Sequence, residues 1–366
     1  MNSETSPTPE TPESCPVSTS RRGFLAAAGL GTAAIAGGLA LSNGGAAVLS
    51  RVFGHRGLPQ LPPRTQPNIT AEVLITRVAS YDDDARLVDT ISRGLVELGL
   101  DLDRVRGATI LLKPNLVEPS TAAPQINTHP RFIRAVAEAF RKFDAGEVLV
   151  AEGQGHCRDT DYVLEQSGLK AILDEDGIEF IDLNHDDIFV ARNPMGATNL
   201  PELFLPATLK RADFIVSLPK MKTHHWAGVT LSMKNMFGVM PGLCYGWPKN
   251  VLHYQGIMQS ILDINATVRP HLAIVDGIVG MDGDGPIMGN PKPAGLITMG
   301  FDLPAVDATC ARLMEIDPNR VWYLAQADGR LGATAENRIH QRGETIADSK
   351  QRFELVDHPS MKVFRD

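Results

Sequence analysis

The sequence predicts an α/β protein with a mostly parallel sheet and helices on both faces, forming one main domain after an N-terminal signal segment. Two observations carry this. Short apolar runs alternate with amphipathic stretches along most of the chain, which is the pattern of strand–helix–strand units. Polar residues also follow directly on several of the apolar runs: Lys113-Pro-Asn115, Glu152-Gly153, Lys220-Met-Lys222, Asp276-Gly277 and Gly300-Phe-Asp302. If the strands run parallel, these five segments share one rim, the carboxyl edge where open α/β sheets bind ligands.

In chain order, residues 73–78 read as a strand. Residues 84–98 form a helix with Leu87, Ile91, Leu95 and Leu98 on one face. Residues 108–112 are a buried strand ending at Lys113. Thr128, with Pro130 soon after, is expected to cap a helix running to Phe143. Further strands are expected at 147–150 and 178–183, with a helix near 160–166 between them. The stretch 186–206 is less regular. Residues 212–218 are a strand, 252–268 a helix with Ile257, Ile261, Ile264 and Val268 on one face, and 271–275 a strand ending at Asp276. A last strand at 296–299 precedes a helix over 303–315, for which Asp302 is the expected N-cap. The main domain is expected at 71–340, after a linker at 51–70 and before a C-terminal tail at 341–366.

Residues 1–50 read as a disordered, Ser/Thr/Pro-rich start followed by an export signal. Ser20-Arg21-Arg22-Gly23-Phe24-Leu25 is a twin-arginine motif, and an Ala/Gly/Leu run over 24–41 follows it. The run is close to the ~20 apolar residues that span a bilayer, but its Ala and Gly make a poor anchor. Export by the Tat translocase to a periplasmic or extracytoplasmic site is expected, with cleavage near Ala46-Ala47 or an uncleaved tether as alternatives.

Net charge is −8, so a general nucleic-acid surface is not expected; phosphate backbones call for a basic field. Against that acidic background one stretch is locally basic: Ser217-Leu-Pro-Lys220-Met-Lys222-Thr223-His224-His225, continuing to Thr230, Ser232, Lys234 and Asn235. The four cysteines contain no Cys-x-x-Cys, so no self-contained iron–sulfur or zinc ribbon is encoded. Cys157, beside His156, is the one cysteine whose loop setting suggests reactivity, whereas Cys310 reads as a buried small apolar residue. No Walker phosphate loop, dinucleotide Gly-x-Gly-x-x-Gly pattern or Gly-x-Ser-x-Gly elbow occurs.

The chain resembles the family called domain of unknown function 362 (DUF362) at Lys113-Pro-Asn115, Lys220-Met-Lys222-Thr-His224, Ser232-Met-Lys234-Asn235-Met-Phe-Gly238, Asp276-Gly-Ile-Val-Gly-Met281 with Gly283-Asp284-Gly285-Pro286, and Gly300-Phe-Asp302 through Asp307. The resemblance covers roughly 108–312. It implies no settled activity. Some members are fused to ferredoxin-like modules, which implies a redox partner protein for relatives; this chain carries no such module.

The expected site therefore uses Lys113, Lys220, Lys222 and Lys234 to hold an anion, because a lysine is a compact point charge suited to phosphate or carboxylate. Asn115, Asn235 and Thr223 would orient the ligand. His224, with Lys220 and Lys222, would carry the proton chemistry. Asp276 and Asp284 could hold a divalent metal or position a lysine. The plainer alternatives are solvated lysines, a hydrogen-bonded structural histidine and turn-forming aspartates. The expected function is an enzyme acting on a small phosphate- or carboxylate-bearing molecule. The alternative is an extracytoplasmic binding or redox accessory protein without turnover.

Overall fold

A run of Val, Ile and Leu bounded by Gly, Pro or Asp starts each central strand, as burial on both sheet faces requires. The computed structural model describes residues 61–365 except 121 and 156–158. The twin-arginine motif, the apolar run after it, Ala46-Ala47, Cys15, His156, Cys157 and most of the expected linker lie outside the described residues.

The strands are β1 (Ala71–Arg77), β2 (Thr109–Pro114), β3 (Glu147–Glu152), β4 (Glu179–Asp182), β5 (Ile188–Arg192), β6 (Glu202–Pro206) and β7 (Phe214–Leu218). They continue with β8 (Lys220–His224), β9 (Gly228–Thr230), β10 (Leu272–Asp282), β11 (Asn290–Lys292), β12 (Leu296–Gly300) and β13 (Ile339–Gly343). The main sheet runs β13-β1-β12-β10-β7-β2-β3-β4, and β5 and β6 form a separate hairpin within the stretch expected to be irregular. Along that path only β12 opposes its neighbours; the pairs β10–β7, β7–β2, β2–β3, β3–β4 and β1–β13 are parallel. The sheet thus continues past residue 340, because β13 pairs along β1.

The helices that cover the sheet are α1 (Asp84–Glu97), α2 (Pro130–Lys142), α3 (Thr160–Gln166), α4 (Leu169–Asp176), α5 (Ser232–Asn235), α6 (Asn250–Gln255), α7 (Ile257–Val268), α8 (Leu303–Leu313) and α9 (Trp322–Ala327). Strand alternation sends Ile110 and Leu112 to one face, against Ile91, Phe132 and Phe140 of α1 and α2. It sends Leu111 to the other, in the layer that holds Met236, Ile264 and Cys310. The fold is therefore a mostly parallel sheet with an apolar layer on each face, and the described residues belong to one compact unit.

Four expectations need correction. β12 is antiparallel, so Gly300-Phe301-Asp302 sits at the opposite rim from the other four polar segments. Asp302 still caps α8, accepting from Ala305 N at 2.9 Å. Strand β10 does not end at Asp276 but runs on to Asp282. Residues 220–224 are a strand, β8, that carries on past β7 beside this extension. The cap of α2 is His129, whose Nδ1 accepts from Arg131 N; Thr128 instead bridges strands, donating to Leu218 O at 2.6 Å and accepting from Asn115 N at 2.9 Å. Finally, the long helix expected over 252–268 breaks at Gly256, whose φ of 104° only glycine adopts readily.

Candidate functional site

Strands β2, β3 and β7 stop at the same rim, and β8 and β10 continue beyond it as a paired extension. That arrangement gathers the basic residues. Lys113 lies one residue before the end of β2, opposite Ser217 of β7. Lys220 lies directly across from Asp276 in the β8–β10 ladder. Lys220, Lys222 and His224 alternate along β8 and so share one face of it. Strand β9 folds back on β8 and delivers Lys234 and Asn235 on the short helix α5.

Lys113, Lys220 and Lys222 are each at most 1% exposed, so none is a solvated surface lysine. Two of them are neutralised from within. Lys113 Nζ lies 2.6 Å from Glu152 Oε2, donates also to Asn235 O at 2.6 Å and to Asn235 Oδ1 at 2.9 Å. The Asn235 amide returns a bond to Lys113 O at 2.9 Å and one to Ser217 Oγ at 3.1 Å. Glu152 completes its shell with the amides of Leu116 and Gly153. Lys220 Nζ lies 2.6 Å from Asp276 Oδ2 and 3.1 Å from Tyr81 OH, while Tyr81 donates to Asp276 Oδ1 at 2.7 Å. His129, stacked on Tyr81 with ring centroids 3.8 Å apart, adds its backbone N–H to Asp276 Oδ2. Burial pulls both ammonium groups below the usual lysine range and their carboxylates partly offset it.

The other two have no carboxylate partner among the described residues. Lys222 Nζ donates to the carbonyls of Ile126 at 2.7 Å and Pro286 at 3.2 Å. Burial holds its pKa well below the lysine range, and Lys220, Lys234 and Lys113 push it further down. Lys234 is only partly buried, its Nζ 4.6 Å from the Phe237 ring centroid, and burial with Lys113 nearby lowers it to about 8. Among the described residues, then, two of these four lysines have a carboxylate partner and two have none.

His224 is buried, and its Nδ1 accepts from the backbone N–H of Trp226 at 3.1 Å and Ala227 at 3.2 Å. Burial, then Lys234, keep the ring well below its ordinary pKa, so it is neutral with its proton on Nε2. It is therefore a hydrogen-bond donor at Nε2. Thr223 points its hydroxyl to Gly283 O at 3.0 Å, away from the lysine face. Asn115 lies at the rim with a buried Oδ1 that has no partner among the described residues.

Each of the two aspartates has partners within the protein. Both oxygens of Asp276 already accept from Lys220, Tyr81 and backbone amides, and Asp284 sits on His225 Nδ1 at 3.2 Å, half-exposed. Among the described residues no three His, Cys, Asp or Glu side chains form a metal-holding group. Of the two roles expected for Asp276, a lysine partner or a metal ligand, its contact is with Lys220.

Sequence reasoning left Glu152, Tyr81 and Lys249 out of the site. Glu152 was visible only as a strand-end residue. Tyr81 reaches the rim from the loop before α1. Lys249 is buried and donates to Asn184 Oδ1 and Met240 O, with burial lowering it to about 8. Gly238 packs so closely that an added Cβ would stand 1.8 Å from Glu152 Oε1 and 2.4 Å from Lys113 Nζ, so the Lys113–Glu152 pair requires glycine there.

A mostly parallel α/β sheet with a buried lysine–carboxylate network at its carboxyl rim defines the class. Residues 110–312, more than half of the chain, match the family described as "Domain of unknown function (DUF362)", and the protein belongs to that family. It is 27% identical over 233 residues to the thylakoid-associated protein sll1697 of Synechocystis sp., covering 62% of this chain and 68% of that protein. Among solved structures it is similar to the lactate racemase apoprotein of Thermoanaerobacterium thermosaccharolyticum, with a TM-score of 0.37 and 13% identity. That likeness covers 60% of this chain and 52% of the racemase. A Thermotoga maritima protein matches with a TM-score of 0.32 and 11% identity over 62% of this chain and 58% of its own. Likenesses at that level add nothing to the reading of the site.

Proposed function

We propose that the carboxyl-rim cluster is the site of an enzyme that takes a small phosphate- or carboxylate-bearing molecule. The observation that carries the reading is the imbalance at the rim. Lys113 and Lys220 have buried carboxylates of their own; among the described residues Lys222 and Lys234 have none. Uncompensated basic groups in a partly desolvated setting are costly, and a bound anion removes that cost. Lys234, the partly exposed member, meets the anion first. Lys222 stands behind it, its amine held well below the lysine range by burial and the neighbouring lysines, and His224 offers its Nε2–H as a hydrogen-bond donor to the ligand. Asn115 Oδ1 offers an acceptor to a ligand donor.

The test is thermal unfolding with inorganic phosphate, acetate and pyruvate. A ligand at ~100 times its Kd stabilises by about 2.7 kcal/mol. The wild-type protein should be stabilised by at least one of these anions, and Lys234→Ala and Lys222→Met should not. An absence of stabilisation across the panel would refute the reading.

We propose too that the protein acts outside the cytoplasm, on the strength of Ser20-Arg21-Arg22-Gly23-Phe24-Leu25 and the apolar run behind it. Fractionation of cells expressing the full chain should find it in the exported fraction, and a double Arg21→Lys, Arg22→Lys change should retain it inside. Equal export of both proteins would remove this part of the proposal.

A further inference from the structure

Rings lead away from the Lys234 ammonium in sequence. Its Nζ lies over Phe237; Phe237 meets His253 edge-on at 5.4 Å; His253 meets Trp226 at 5.9 Å; Trp226 meets His225 edge-on at 4.9 Å; and His225 leads back to His224 at 5.2 Å. These separations are those of interacting aromatic groups. The series begins at the one partly exposed lysine of the cluster that lacks a carboxylate and ends at the neutral imidazole beside it. Trp226 is 61% exposed, although the residues on both sides of the turn, His224 and Ala227, are buried. Its backbone N–H donates to His224 Nδ1, which fixes the turn, and the indole itself lies against the rings of His225 and His253. A scattered surface tryptophan needs no explanation; one tied into a ring path that starts at an uncompensated cation does.

We propose that this ring path is a subsite for a planar or aromatic group carried by the anionic ligand, so that the substrate class is an aryl- or heteroaryl-bearing phosphate or carboxylate. The inference rests on the anion-binding reading above and narrows it. The charged end of the ligand sits at Lys234 and its ring lies against Trp226 and His253. The same arrangement leaves small anions with the charge contact alone. An apolar ring without charge gains the ring contact but leaves Lys234 uncompensated, so it binds weakly.

The experiment compares methyl phosphate with phenyl phosphate, and acetate with benzoate, by calorimetry on the wild-type protein and on Trp226→Ala. Within each pair the anionic group is the same and only the ring differs. Phenyl phosphate or benzoate should bind the wild type about tenfold more tightly than its partner, the scale of one good aromatic contact with its buried area. It should also quench tryptophan fluorescence. In Trp226→Ala the preference should fall to within about threefold while methyl phosphate or acetate binds as before. Equal affinity for the two members of each pair in the wild type overturns the subsite and leaves the anion site standing. A preference that survives undiminished in Trp226→Ala overturns it as well. Binding of none of the four overturns both readings together. The exposed position of the indole makes the variant a mild one for folding, which an unchanged melting temperature without ligand verifies.

Discussion

Lys220 and Asp276 face each other as a registered cross-strand pair, Nζ 2.6 Å from Oδ2, and both side chains are fully buried. Tyr81 closes the triangle by bonding to both. A buried pair of this kind contributes little net stability, but removing one partner strands a charge in a dry setting. Asp276→Ala is expected to cost about 3–5 kcal/mol in urea unfolding. The double change Lys220→Met, Asp276→Leu should recover part of it, since Tyr81 OH and the amides of His129 and Ile278 still lose their acceptor. A single variant as stable as wild type would show that the pair is not buried as described.

Gly238 gives an independent handle on the second pair. An alanine Cβ would stand 1.8 Å from Glu152 Oε1, so Lys113 and Glu152 must move apart or the loop must shift. Gly238→Ala should lower stability by at least about 1–3 kcal/mol, the usual scale of overpacking, measured by denaturant midpoint at constant slope. An unchanged midpoint contradicts the close packing.

Lys222 predicts the opposite sign. Its amine is buried with only carbonyl partners and is opposed by neighbouring lysines. Lys222→Met keeps the length of the side chain and removes the polar end. Stability without ligand should rise by about 1 kcal/mol, a melting shift of a few degrees for a chain of this size, while anion-dependent stabilisation disappears. A destabilised Lys222→Met protein would assign the lysine to structure instead.

Anion affinity should depend on pH through Lys234. Burial and Lys113 lower it to about 8, so it is mostly charged below that pH and mostly neutral above it. An anion binds the charged form, so affinity should be full below about 8 and decline as pH rises through it. The same depression carries a stability term of defined sign: the unfolded lysine holds its proton to higher pH, so this group's contribution to stability rises between about 8 and its ordinary value near 10.5. Lys234→Arg should bind anions with no decline until well above pH 9, since a guanidinium stays charged. An affinity that is flat across pH 7–10 in the wild type would contradict the role given to Lys234.

The sheet and most of the rim were legible because strands buried on both faces are continuous apolar runs, and Lys113, Glu152 and Lys220 follow theirs immediately. The direction of β12 was not legible from its own residues, since Leu296–Gly300 reads alike both ways. A signal did exist in the connection: residues 283–295 contain no helix, and a parallel crossover generally requires one. Attention to that gap would have kept Gly300–Asp302 off the site. The lysine–carboxylate partnerships were hidden for a different reason. Glu152 is 39 residues from Lys113 and Asp276 is 56 from Lys220, so no local spacing couples them; only the sheet order does. His224 was legible as a candidate, but its tautomer depends on the turn that brings two backbone amides onto Nδ1. The extended β10 was masked by Asp276-Gly277, which reads as a strand end when its partner β8 is unknown.

Two basic side chains without carboxylates among the described residues, Lys222 and Lys234, form the core of the proposed anion site at the carboxyl rim. The most direct measurement is the titration of the lysine side chains by NMR, using ε-carbon-labelled protein with and without phosphate. Lys234, assigned through Lys234→Arg, should titrate near 8 alone and move upward when phosphate is added. A Lys234 that titrates at the ordinary lysine value and ignores phosphate would contradict the account.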